Sequence, residues 1–147
     1  MLRCLAPIIV LIPAAAACQT VAPGSWDVTS RVVDFAVPGV PGFVARMIRG
    51  KSKAEHKRLV AGQGIAELLA PDPKAHCRIE AQRIADGRYA QTLTCPQPHG
   101  EAMHVARIGT YDGAGFAGRA TLTGSTPKGP VRIALDQHAA LVGAPTR

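Results

Sequence analysis

The chain has few aromatic residues: they make up 4% of its 147 positions, with one Trp, two Tyr and three Phe. That is poor material for the stacking platforms that grip nucleic-acid bases, so no nucleic-acid partner is expected despite a formal charge of +7. Acidic residues number 10 against 17 Lys and Arg, so a charged partner would be anionic. No apolar run reaches the roughly 20 residues that a membrane-spanning helix needs. There are four cysteines, and none is paired with histidine at the spacing of a zinc finger. The Gly-x-Ser-x-Gly elbow of many hydrolases is missing as well.

What is present begins at the N-terminus. Arg3 supplies a positive charge, and residues 5–17 carry none. A basic start, a short apolar stretch and small residues before a cut site make a secretory signal. Pro13 argues against a helix that stays in the membrane. Ala15-Ala16-Ala17-Cys18 is similar to the bacterial lipobox, in which small residues precede a cysteine that becomes a lipidated N-terminus. Ala stands where that motif usually has Leu, and Ala-x-Ala also suits ordinary cleavage, which would leave a protein free in the periplasm. We expect residues 1–17 to be removed, Cys18 to carry lipid, and residues 18–23 to act as a tether. Gln19 favours the outer membrane, facing the periplasm, over retention at the inner one. A single domain at 24–143 and a tail at 144–147 complete the expected organisation.

Within the domain, residues 24–32 alternate as a strand, with Trp26, Val28 and Val32 on one face and Trp26 as its core anchor. Two Pro-Gly steps, Pro38-Gly39 and Pro41-Gly42, form a bend. Residues 43–48 read as a second strand. Ser52-Lys53-Ala54-Glu55 reads as a capping box, which predicts a helix to about Ala61; residues 65–69 can add a further helical turn. From Cys77 onward the period is two, with hairpin turns near Asp86-Gly87, Asp112-Gly113 and residues 124–130. The expected class is α+β: a curved, mostly antiparallel sheet of about seven strands in hairpins, with one helix from the N-terminal half packed on it.

Export and an oxidising compartment make Cys77 and Cys95 a candidate disulfide once lipid takes Cys18. If Ala85-Asp86-Gly87 is a three-residue loop, counting outward places Ala81 opposite Gln91, Ile79 opposite Leu93 and Cys77 opposite Cys95, all on one face. A two-residue Asp86-Gly87 turn would instead put Cys77 opposite Pro96.

Other constellations are weaker. Residues 45–52 fit a relaxed phosphate-loop pattern, but Arg46, Met47, Ile48 and Arg49 are too bulky for backbone to wrap phosphate. His76, Cys77, Cys95 and His99 are a zinc set only if the cysteines stay reduced. Asp136 and His138 share a strand face without a marked nucleophile. Arg46, Arg49, Lys51, Lys53, Lys57 and Arg58 stand against Glu55 alone. A solvated face is the ordinary outcome for such a run, and contact with anionic headgroups or an acidic envelope partner is the functional one.

Several features taken in order resemble the family of small exported proteobacterial proteins called domain of unknown function family 3617. They are Pro23-Gly24-Ser25-Trp26-Asp27-Val28, the Pro/Gly-rich bend, a helix, the cysteine pair around Asp86-Gly87, and Gly109-Thr110-Tyr111-Asp112-Gly113. The second bridge that members often have is absent, since no cysteine stands near Lys51 or after Gly143. The resemblance implies a periplasmic location and assigns no activity. The expected function is therefore that of a non-enzymatic envelope lipoprotein, anchored in the membrane through Cys18, with no catalytic residue, metal or cofactor. It would bind a partner, lipid or small ligand through its sheet. The alternative is a small periplasmic hydrolase.

Overall fold

The structure is a computed structural model and describes residues 21–144. The expected leader at 1–17, the lipidated Cys18 and the last three residues lie outside the described part. The chain forms β1 (Gly24–Ala36), α1 (Gly42–Ile48), β2 (Ser52–Leu59), α2 (Ile65–Leu69), a single 3-10 turn at Pro73–Ala75, β3 (Arg78–Ala85), β4 (Arg88–Cys95), β5 (Met103–Asp112), β6 (Gly115–Thr126) and β7 (Gly129–Gly143). The seven strands make one antiparallel sheet in the order β2-β1-β7-β6-β5-β4-β3. Two-residue turns join β3 to β4, β5 to β6 and β6 to β7, as the alternating pattern implied, a loop at 96–102 joins β4 to β5, and β7 returns to pair with β1. The fold is α+β with a curved sheet, as expected.

Two assignments in the N-terminal half are exchanged. Residues 43–48, expected as strand, are helix α1, and the helix expected from Ser52 is strand β2. The helix ends because the Arg49 N–H returns to the Ala45 carbonyl and Gly50 takes a left-handed φ of 84° just beyond. The capping box at Ser52 is a local signal, and a longer-range demand overrides it. β1 is 13 residues long, and without β2 its outer edge would leave backbone groups unpaired over Gly24–Arg31. Along β2, Glu55, Lys57 and Leu59 turn toward the core, while Ala54, His56 and Arg58 turn away.

The β3–β4 hairpin also departs from the expected register, in a way that preserves its far end. Asp86 and Gly87 both have positive φ, 54° and 74°, so the turn has two residues and Ala85 faces Arg88. Gln82, not Ala81, is then opposite Gln91. A bulge at Glu80 absorbs one residue between the Ile79–Leu93 and Ala81–Thr92 pairs. Beyond it the register is the one expected, and Cys77 and Cys95 form a disulfide with 4.1 Å between their Cα atoms.

One face of the sheet, the inner face, carries α2. Ile65, Leu68 and Leu69 are fully buried there among Trp26, Val28, Leu59, Tyr89, Phe116 and Ala139. Each of those three side chains contributes about 1.5–3 kcal/mol relative to exposure. Packing starts before β1: Val21 is buried, and the Trp26 indole N–H donates to the Ala22 carbonyl at 2.9 Å. The opposite, outer face carries polar and small side chains, including Arg31, Arg119, Asp136 and His138, with Arg119 paired to Asp136 at 3.0 Å. One covered and one solvated face is the usual economy of an antiparallel sheet.

Candidate binding cleft and its buried arginine

α2 covers only part of the inner face. Beside it runs a cleft of about 180 Å³ lined by Val28, Leu93, Val105, Leu122 and Leu135, with Ser30, Glu55, Lys57, Arg107 and Gln137 at its polar end. A wider recess of about 610 Å³ adjoins it, sharing the disulfide, Val105 and Leu122, and extending to Lys74, His76 and the loop at Pro96 and Pro98. Inward-facing positions of β4, β5 and β6 supply the apolar floor, because Leu93, Val105 and Leu122 are register partners across three strands. An apolar cleft with a few convergent polar groups is the usual form of a small-molecule site.

Arg107 is the least expected residue in it. It lies in the apolar stripe of β5, between Val105 and Gly109, and is only 7% exposed. Its Nε–H donates to Gln137 Oε1 at 2.9 Å, and Nη1 donates to the Leu69 carbonyl at 2.8 Å and to Gln91 Oε1 at 3.1 Å. Gln91, also buried, donates to Gln82 Oε1 at 2.7 Å, and Gln137 donates to Ser30 Oγ at 2.8 Å. A polar chain thus crosses the inner face from β3 to β1. The guanidinium stands 5.9 Å from the Phe116 ring centre, which meets Tyr89 edge-on at 5.4 Å. Among the described residues no carboxylate lies within ion-pair distance of Arg107. Burial pushes its pKa down, with Tyr89 and Glu55 acting the other way.

Lys57 is the second inward cation. Its side chain is 14% exposed, and its ammonium donates to the Glu67 carbonyl at 3.3 Å and to the Ala70 carbonyl, at the C-terminal end of α2. Burial lowers its pKa, while Glu55, 3.8 Å away, raises it.

The residues singled out from sequence fall in different places. Cys77 and Cys95 form the wall shared by the two recesses. Their disulfide removes the zinc set, and among the described residues no group of three or more His, Cys, Asp or Glu could hold a metal ion. The basic residues do not form one patch. Arg46 and Arg49 sit at the end of α1, Lys51 and Lys53 at the start of β2, Arg58 near its end, and Lys57 is turned inward. Helix α1 also exposes Phe43 and Met47, each by 63%. The phosphate-loop pattern spans helix, turn and strand in that order, the reverse of the strand-to-helix order such a loop requires. His138 faces Thr29 on the outer sheet, and Asp136 is held by Arg119. His56 contacts Asp27 on the same outer face, but its side chain is open to solvent. Arg107, Gln91 and Gln137 were missed; the available signal was a charge at an inward position of a strand.

Fold and site together define a disulfide-stapled α+β protein with an open antiparallel sheet and a partly covered inner face. A family model described as "Protein of unknown function (DUF3617)" matches residues 21–145, and the chain belongs to that family. No curated protein and no solved structure matches the chain.

Proposed function

We propose that this is a non-enzymatic envelope protein, exported, tethered by lipid at Cys18 to the outer membrane, and binding an apolar ligand in its inner-face cleft. The cleft is the observation that supports it. Its walls are aliphatic, its polar end carries Ser30, Glu55, Lys57, Arg107 and Gln137, and the Ser30 hydroxyl is held by Gln137 rather than by an acid–base pair. Among the described residues, the small-hydrolase alternative has the solvent-open His56–Asp27 contact in its favour.

The anchor and the basic residues set an orientation. Three peptide links separate Cys18 from buried Val21, at most about 11 Å of chain. Seven steps along β2 separate its two ends, about 23 Å at strand spacing. A membrane therefore meets both the tether and the Phe43–Met47 helix if the β2 edge lies toward it, with Arg46, Arg49, Lys51 and Lys53 over anionic headgroups.

The test is binding of an apolar fluorescent probe to the full chain carrying Cys18→Ser. Leu122→Arg, which plants a charge on the half-buried cleft floor, should abolish binding while circular dichroism stays unchanged. Undiminished binding in that variant would remove the cleft as the site.

A further inference from the structure

We propose that the cleft takes an amphiphile with a single oxyanion head on an apolar chain, and that Arg107 pairs with that head; this rests on the apolar-cleft reading above. An arginine has five N–H donors. The described bonds of Arg107 use Nε and Nη1, and Nη2 has no partner among the described residues. Nor is Nη2 sealed away, because the buried side-chain polar atoms without a partner are the hydroxyls of Tyr89 and Tyr111 alone among the described residues. Arg107 lines the cleft beside Val105, Leu122 and Leu135. A buried cation with donors to spare thus lines an aliphatic cleft.

A purely structural role does not account for the charge. Arg107 does support the Leu69 carbonyl at the end of α2, but Gln91 donates to the same oxygen at 3.3 Å without any charge. Holding a guanidinium out of water without a carboxylate is costly, and a bound oxyanion removes that cost through short, charge-assisted bonds. The one acid at this end of the cleft, Glu55, is already beside Lys57. Glu67 and Asp72 also act on Lys57, whereas Arg107 has no carboxylate within ion-pair distance among the described residues, and a singly charged head would supply one. The chain of such a ligand would lie along Leu93, Val105 and Leu122 toward the disulfide and the wider recess. A fatty-acid carboxylate and a lipid phosphate share this chemistry.

The experiment compares three ligands of equal chain length, a fatty acid, an alkyl phosphate and a fatty alcohol, by calorimetry on the full chain carrying Cys18→Ser. One or both oxyanions should bind about tenfold or more tighter than the alcohol. Whichever of the two binds tighter assigns the source of the head. Gln137→Glu keeps the shape of the acceptor of the Arg107 Nε–H and supplies an internal carboxylate. It should cut the preference for oxyanion over alcohol to less than about threefold. If wild type binds neither oxyanion more tightly than the alcohol, or if Gln137→Glu keeps the preference, Arg107 is not the anion site and the apolar cleft stands. If none of the three binds, the apolar-cleft reading fails with it.

Discussion

Arg107 on β5 and Gln137 on β7 are not neighbours in the sheet, yet the Nε–H of one donates to the Oε1 of the other at 2.9 Å across β6. The bond is possible because β6 places small residues in between: Ala120 opposite Arg107 and Gly118 opposite Gln137. Gly118 and its partner Gly109 also receive the Tyr89 hydroxyl. A methyl group on Gly118 would collide with that hydroxyl and with the Ile108 carbonyl, which is backbone and cannot swing aside. Gly118→Ala is expected to destabilise by about 1–3 kcal/mol through overpacking, measured by urea unfolding. A neutral result would show that the sheet centre relaxes more freely than this packing allows.

Removing the disulfide should cost about 3 kcal/mol in the chain-entropy model, given the 18-residue separation of Cys77 and Cys95. The Cys77→Ser, Cys95→Ser double variant and the reduced wild type should lose the same amount in denaturant titrations. They should also loosen the cleft wall and lower probe affinity.

Tyr89 gives a pH signature. Its hydroxyl is buried without a partner among the described residues, and burial raises its pKa above the ordinary phenol value of 10.0. A phenol that ionises later in the folded state than in the unfolded one contributes stability that is intact below pH 10 and lost as pH rises through the folded value. Tyr89→Phe should remove that alkaline loss. It should also raise stability at neutral pH by about 1 kcal/mol, since no hydrogen bond is given up. Thermal melts of both proteins from pH 7 to 11 check the two effects together.

Lipidation at Cys18 should appear as a diacyl or triacyl adduct in the intact mass of the membrane fraction, and Cys18→Ala should release the protein into the periplasm. An unmodified Cys18 at a free N-terminus would contradict it.

The full chain carrying Cys18→Ser should bind anionic vesicles at low salt and detach at high salt. Neutralising Arg46, Arg49, Lys51 and Lys53 together should abolish the binding, each charge near the surface being worth on the order of 1 kcal/mol. Lys57→Met should leave vesicle binding unchanged, because that ammonium is engaged with the end of α2.

By itself the sequence determined the sheet from Cys77 to Gly143, and with it the α+β class. Period-two patterning and Asp-Gly or Gly-containing turns are local signals, and an antiparallel meander is built from local hairpins. The cysteine pairing was also legible, although the turn has two residues and the bulge at Glu80 restores the register. Tertiary structure alone decided the segment from 42 to 59. There the free edge of β1 demanded a partner, and backbone pairing over eight residues outweighed a capping box. It alone decided the cleft as well. An arginine in an apolar stripe becomes a site only when α2 stops short of covering it, β6 leaves room beside it, and, among the described residues, no carboxylate comes within ion-pair distance. Each of those conditions depends on residues distant in sequence meeting across the inner face.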